Sequence, residues 1–287
     1  NATVRVPGSK SLTNRALLIA ALANGTTRIT NALFSDDSRY FANALQTLGF
    51  NVQLDEASHE MTVTGLGGKI LAKQAELFIG NAGTAARFLS AFLTLGNGEY
   101  ILDGDARMRE RPIGDLVDVL EQLGCDIQPL EKVESGKSVC PPIRIFASGL
   151  KGGKTQIAGN ISSQFLSALL MVAPYAQSPI EIELTTELNS KPYVDMTIAI
   201  MRDFGVKVER HSYEHFTILP SFFFPLSSYS IESDASAASY LFAAPAICGG
   251  TVRVENISRK SVQGDIGFLD VLTKMGCTVE EAENSIT

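Results

Sequence analysis

The sequence predicts an α/β fold with sheets outside and helices inside, the reverse of a doubly wound sheet, built from one βαβαββ unit used four times. Three observations carry this prediction. Four segments share one pattern: a short strand, a tip of small and polar residues, an apolar helix, a glycine-containing turn and another strand. The first helix of each unit is apolar nearly all round, as in 88–95 and 165–173, and such a helix belongs inside a core. The strands alternate, as in Met61-Thr62-Val63-Thr64, which suits a sheet with one wet face.

In chain order, the first unit runs from Val4 to Thr30 and the second from Leu77 to Leu102. The third runs from Thr155 to Leu184 and the fourth from Tyr229 to Val254. Aligned on the helix start, Arg15, Arg87, Gln164 and Ser239 are equivalent, at spacings of 72, 77 and 75 residues. Each unit continues with a more amphipathic helix that stops at an apolar-glycine-apolar step. The stops are Leu48-Gly49-Phe50, Leu123-Gly124-Cys125, Phe204-Gly205-Val206 and Met275-Gly276-Cys277. Their glycines recur at spacings of 75, 81 and 71, so the same period is reached independently. Glycine just past a helix suits the left-handed C′ position. Strands at 51–54 and 206–210 follow their stops.

Three such units close around a shared helical core, whereas a fourth alone has nothing on which to bury its apolar face. The chain is therefore expected to hold one complete three-unit domain plus part of a second. The expected connection is Leu219-Pro-Ser-Phe-Phe-Phe-Pro-Leu-Ser-Ser, whose three adjacent phenylalanines predict a docked segment. The first six residues read as a strand already under way, with no initiator methionine, so a piece of a longer polypeptide or a trimmed chain is expected.

Composition narrows the function. At 287 residues, with 45% hydrophobic and 19% charged residues, this is an ordinary globular chain. A net charge of -7 argues against a general nucleic-acid binder, which needs a basic face. Any anionic ligand must therefore be held by a local cluster against an unhelpful global field. The cysteines Cys125, Cys140, Cys248 and Cys277 form no CxxC pair or metal-site spacing and read as buried free thiols in a reducing, cytoplasmic compartment. His211 and His215 lie four apart in an expected strand or hairpin without a third ligand, so no metal is assigned. No run is long enough to span a membrane, and no signal peptide is visible.

The candidate chemistry sits at the tips. Residues 7–15, Pro-Gly-Ser-Lys-Ser-Leu-Thr-Asn-Arg, open the first helix with Lys10, Ser11 and Arg15 in its first two turns. Free N–H groups and the positive end of the helix dipole favour an anion there, although an ordinary N-cap with solvated basic residues explains the same pattern. The spacing is not that of a P-loop. Tip two offers Asn81, Gly83, Thr84 and Arg87, and tip three Asn160, Ser162, Ser163 and Gln164. About a pseudo-threefold axis these tips converge. Arg107-Met-Arg-Glu-Arg111 adds three arginines in five residues, and Ser190-Lys191-Pro192-Tyr193 occupies the matching place in the third unit. Arginine forks match carboxylate and phosphate, so a shared anionic ligand is favoured over chance surface charge. Asp36, Asp37, Asp195 and Asp234 also lie near tips, where an N-cap or first-turn role explains each most simply.

Six collinear phrases then carry a resemblance: 8–15, 80–87, 107–114, 162–166, 190–195 and 261–265 (Ser-Val-Gln-Gly-Asp). Over nearly its whole length the chain resembles the 5-enolpyruvylshikimate-3-phosphate synthase family. The resemblance implies an inside-out α/β barrel of two three-unit domains, with 10–231 as the complete domain and 1–9 with 232–287 in the second. It implies transfer of the carboxyvinyl group of phosphoenolpyruvate to the 5-hydroxyl of shikimate 3-phosphate, through a tetrahedral intermediate, without metal or organic cofactor. By position, Lys10, Ser11, Arg15, Ser162, Ser163, Gln164, Ser190 and Tyr193 would hold shikimate 3-phosphate. Lys10, Gly83, Arg111 and Gln164 would hold phosphoenolpyruvate, with Asn81 and Thr84 beside them. The family's acid, base and further cations lie in two additional units, so Lys10 is the only catalytic assignment here, and the missing C-terminal segment is an expected partner. A non-catalytic shikimate 3-phosphate binding module is the alternative from another class. The UDP-N-acetylglucosamine enolpyruvyl transferase ranks below both, since the Lys-Ser pair and Ser-Ser-Gln favour the shikimate enzyme.

Overall fold

The computed structural model describes residues 1–131 and 138–287. The first unit comprises β1 (Ala2–Arg5), α1 (Lys10–Leu22), β2 (Asn24–Thr30), α2 (Asp36–Thr47), β3 (Asn51–Asp55) and β4 (Glu60–Leu66). The second comprises β5 (Gln74–Phe78), α3 (Gly83–Leu93), β6 (Asn97–Asp103), α4 (Gly114–Gln122), β7 (Asp126–Pro129) and β8 (Ile143–Ser148). The third comprises β9 (Gly153–Ile157), α5 (Ser163–Val172), β10 (Ile180–Leu184), α6 (Lys191–Asp203), β11 (Glu209–His211) and β12 (His215–Ile218). The fourth comprises β13 (Ser228–Ser230), α7 (Ala235–Cys248), β14 (Val252–Glu255), α8 (Phe268–Lys274), β15 (Glu281–Ala282) and β16 (Ser285–Ile286). The βαβαββ unit thus recurs four times among the described residues.

In the first three units the first helices lie inside and the sheets outside, as the patterning requires, whereas α7 of the fourth is largely exposed. Helix α1 buries 11 of its 13 residues and α3 buries 10 of 11, because each is apolar nearly all round beyond its first turns and is enclosed by other helices and the sheets. Strand β10 buries alternate residues, Ile180, Ile182 and Leu184, and leaves Glu181 and Glu183 in water. The four stop glycines have φ of +95° (Gly49), +85° (Gly124), +88° (Gly205) and +96° (Gly276). Each is the left-handed residue that ends a helix, which is why the period was readable.

The second and third units each form a sheet ordered first, second, fourth, third strand: β5-β6-β8-β7 and β9-β10-β12-β11. The repeat places β1 with the first unit and β13 with the fourth, and here the structure differs. Strand β13 pairs in parallel with β2, while β1 pairs in parallel with β14, so the two strands trade places. Either strand fits the same parallel slot, and local sequence does not say which one fills it. The chain crosses itself at 7–9 and 231–233, where Gly8 bridges Ser233. A Cβ on Gly8 would fall on the carbonyl oxygen of Asn31, so only glycine permits the crossing. Two separate apolar cores result. The larger runs from Leu12 to Ile231, and the smaller gathers Val6, Phe242, Val254, Leu269 and Ile286.

Three further expectations need correction. Gln164 is not equivalent to Arg15 and Arg87, since it is the second residue of α5 while they lie a turn or more into α1 and α3. Ser167 takes that place instead. The strand expected at 206–210 begins only at Glu209, Val206 and Val208 being buried ahead of it. The cysteines, expected to be buried, are only partly so, and Cys248 is exposed. The 219–228 connection is docked as expected, by the buried Phe223 against Tyr175 (ring centroids 6.0 Å apart) and by the Ser221 and Phe224 N–H groups on the Pro174 and Phe204 carbonyls, while Phe222 and Phe224 expose their rings.

Candidate functional site

Tip one begins with Ser9, buried at the N-cap of α1, whose carbonyl accepts the Thr13 hydroxyl at 2.8 Å. Lys10 is half-exposed, with its Nζ 3.6 Å from Asp37 in the first turn of α2. Arg15 lies beneath, 2% exposed, and its guanidinium is committed to the protein. It donates to Thr197 Oγ1 at 2.7 Å, the Ser11 carbonyl at 3.0 Å, Ser167 Oγ at 3.1 Å and the Tyr193 carbonyl at 3.2 Å. Its face also meets the Phe88 ring at 5.4 Å. Burial lowers its pKa to about 10, which leaves it cationic at neutral pH. Arg15 therefore joins tip one to α5 and α6, and it holds the backbone of two candidate residues, Ser11 and Tyr193.

Tip two repeats the device. Arg87 donates to the Gly83 carbonyl at 3.1 Å and the Pro112 carbonyl at 2.8 Å, and burial also lowers its pKa to about 10. Arg111 turns its fork onto Asn81, reaching the carbonyl at 3.0 Å and Oδ1 at 3.2 Å. A Cβ on Gly83 would fall on that guanidinium, so glycine makes the room. The other two arginines of the run do not join the tip. Arg107 pairs with Glu110 at 2.7 Å, and Arg109 pairs with Asp103 at 2.7 Å and Glu131 at 3.2 Å. Spacing alone could not separate one inward arginine from two in surface pairs.

At tip three Ser162 caps α5 by accepting the Gln164 N–H at 3.2 Å, and Ser163 is buried beside it. Gln164 Nε2 reaches Thr84 Oγ1 of tip two at 3.4 Å, so the two tips touch. Ser190, at the start of α6, is left-handed with φ of +57°, a conformation that costs about 1–3 kcal/mol in a non-glycine residue. Tyr193 is 39% exposed in the next turn. A cavity of about 240 Å³ lies between Ser11, Ser190 and Tyr193 on one wall and Asp234, Gln263 and Asp265 of the fourth unit on the other.

The aspartates divide. Asp36 and Asp37 occupy the first turn of α2 and Asp234 caps α7, as expected. Asp195 does neither. It accepts from Arg210 and, at 2.6 Å, from the Tyr213 hydroxyl, which ties α6 to the β11–β12 hairpin. In that hairpin His211 and His215 are direct cross-strand partners. Among the described residues no group of three His, Cys, Asp or Glu side chains is placed to hold a metal, and no helix is long and apolar enough to cross a membrane.

Two residues escaped the sequence reasoning. Asn14, one turn along from Lys10, is wholly buried, with Oδ1 and Nδ2 unpartnered among the described residues. Its signal is a polar residue entering an apolar helix on the Lys10 face. Gln263 is 4% exposed, accepts the Ala235 N–H at 3.0 Å and donates to the Ser233 carbonyl at 2.8 Å. It lies in the 261–265 phrase, but nothing local assigns it a role, because its partners Ala235 and Ser233 lie about thirty residues away.

A family model described as EPSP synthase (3-phosphoshikimate 1-carboxyvinyltransferase) matches residues 1–287. The 3-phosphoshikimate 1-carboxyvinyltransferase of a Sulfurovum species is 54% identical over 286 residues, and that of Psychromonas ingrahamii 51% over 287. Each alignment covers 99% of this chain and 66% of the relative, so the chain spans just under two thirds of the length of these curated relatives. Among solved structures, an EPSP synthase from Acinetobacter baumannii is similar with a TM-score of 0.84 at 25% identity, covering 99% of this chain and 63% of that one. The repeated unit, the linked tips and a family match over all 287 residues agree, and the chain belongs to the EPSP synthase family.

Proposed function

We propose that this chain supplies the shikimate 3-phosphate site and part of the phosphoenolpyruvate site for carboxyvinyl transfer to the 5-hydroxyl of shikimate 3-phosphate, with release of phosphate. The observation that carries this reading is the linkage of three tips from three units around one region. Arg15 bonds to the third unit, Gln164 touches Thr84, and Arg111 sits against Asn81 beside Gly83. In this reading Ser11, Ser162, Ser163, Ser190 and Tyr193 line the sugar-phosphate side, with Arg15 acting mainly through the Ser11 and Tyr193 backbone. Arg111 and the space left by Gly83 serve phosphoenolpyruvate, and Lys10 and Gln164 lie between the two ligands.

The electrostatics support it. A chain of net charge -7 repels two anions overall, so their approach needs local cations in fixed places. Lys10 and Arg111 offer those charges at the surface, while the helix starts and hydroxyls add directional donors. Neutralising both ligands brings the 5-hydroxyl within reach of the vinyl carbon, and the same donors stabilise the negative charge that passes to phosphate when its C–O bond breaks in the collapse of the tetrahedral intermediate. No general acid or base is assigned to this chain. The division of the chain into 10–231 and 1–9 with 232–287 belongs to the same reading, and the separation of the buried side chains into two apolar cores supports it. The exposed apolar side of α7, with Tyr240 80% and Ile247 82% exposed, is the face on which further units of a second domain pack. Free cysteines support a cytoplasmic location.

A phosphate-release assay run beside calorimetry tests the reading. Residues 1–287 are expected to bind shikimate 3-phosphate weakly and to release negligible phosphate from phosphoenolpyruvate. Robust turnover by these residues alone would overturn the division of labour proposed here.

A further inference from the structure

One carboxylate serves the starts of two helices that lie 224 residues apart in sequence. Asp234 Oδ1 accepts the Ala237 N–H at 2.9 Å and so caps α7. Its Oδ2 accepts the N–H of Lys10, the first residue of α1, at 3.4 Å. The residue has little freedom to serve one helix without the other. Its own N–H donates to the Pro7 carbonyl at 2.9 Å, and its two neighbours are pinned by the buried Gln263, through the Ser233 carbonyl and the Ala235 N–H. Lys10 is therefore gripped at both ends by carboxylates from different units: Asp234 at its backbone and Asp37, 3.6 Å away, at its ammonium. Asp234 also lines the cavity shared with Ser11 and Tyr193.

We propose that Asp234 is a positioning residue: by capping α7 with one oxygen and holding the Lys10 N–H with the other, it registers the start of α1 against the fourth unit and so sets where Lys10 meets its ligands. The inference rests on the reading of Lys10 as a ligand-touching residue. Asp234 itself touches no reacting atom in this account. A plain N-cap would matter only to α7, where serine or asparagine serves nearly as well as aspartate. A bridge has a stricter requirement, namely a second acceptor long enough to reach across.

Two variants separate these roles. Asp234→Ser keeps an N-cap oxygen but is too short to reach Lys10. Asp234→Asn keeps the length but turns a donor toward the Lys10 N–H. Nuclear magnetic resonance on residues 1–287 reads α7 through its ¹³Cα shifts, and reads the relative orientation of 10–231 and 232–287 through residual dipolar couplings. Both variants are expected to keep α7 helical, to shift the Lys10 amide resonance, and to widen the orientational spread between the two bodies. Calorimetry should then show shikimate 3-phosphate bound about tenfold more weakly by each variant, as for loss of a charge-assisted hydrogen bond that orients a ligand group. Normal binding by the unmodified chain with unchanged affinity in both variants would overturn the inference alone. Absence of binding by the unmodified chain would overturn the functional reading on which it rests. An unmoved Lys10 amide would show that no bridge exists.

Discussion

Helices α1 and α7 begin with nearly the same grammar, a small polar tip followed by an almost wholly apolar run, and they end in opposite environments. Helix α1 buries 11 of its 13 residues, whereas α7, of 14 residues, buries Ala235, Ala238 and Phe242. The difference lies in the neighbours. Helix α1 packs against α2, α3, α5 and α6, while α7 packs on one side only, against β14, α8 and the short turn at Gly264–Gly267. An apolar pattern therefore states what a helix needs, and the surrounding units decide whether the need is met. At the starts of the two helices the contrast narrows, because Asp234 bonds to both.

The sharpest way to break this comparison is to truncate matched side chains. Leu18→Ala in α1 removes a fully buried side chain and should cost about 2–5 kcal/mol in urea unfolding. Ile247→Ala in α7, 82% exposed, should stay within about 0.5 kcal/mol. Equal costs would mean that α7 is covered in solution by a second copy or by another surface.

The next effect concerns the buried arginine. Arg15→Met leaves two carbonyls and two hydroxyls without their charged donor and should cost about 2–3 kcal/mol, while Ser239→Ala at the matching place of α7 should change stability by less than about 0.5 kcal/mol. Thermal unfolding of both variants decides this, and an unchanged midpoint for Arg15→Met would remove the strut from the account. Smaller still is the effect of a methyl group at two glycines. Gly83→Ala pushes on Arg111 and should weaken phosphoenolpyruvate, and the inhibitor glyphosate that the family resemblance assigns to the same place, about tenfold more than shikimate 3-phosphate. Gly267→Ala in the fourth unit meets nothing within 4 Å at a helical φ of -62°, and should stabilise by up to about 1 kcal/mol. Equal weakening of all three ligands by Gly83→Ala would count against its placement.

The same contrast explains what was legible beforehand. The stop glycines gave the period because each answers a local demand, a left-handed residue after a helix, that one position settles by itself. The exchange of β1 and β13 was hidden from the repeat, since parallel pairing to β2 or β14 asks for the same kind of short alternating strand. The family resemblance supplied that assignment instead. Among site residues, Lys10, Ser162 and Gln164 stand out because they sit at helix starts, where sequence and geometry coincide. The separation of Arg111 from Arg107 and Arg109 depended on where Asp103, Glu110, Glu131 and Asn81 fall in space. Arg15 was read as a ligand cation, and its burial beneath α5 and α6 followed only from how the third unit closes on the first.

The central claim is that the linked tips hold shikimate 3-phosphate through charges in particular places rather than through charge in general. Calorimetric titration of residues 1–287 with shikimate 3-phosphate, repeated on Lys10→Met and on Lys154→Met, tests it most directly. Lys154 carries the same charge on the outer face of β9, with its side chain 82% exposed. Saturable binding is expected, weakened by about tenfold or more in Lys10→Met and unchanged in Lys154→Met. No binding by the unmodified chain, or equal weakening by both substitutions, would contradict it.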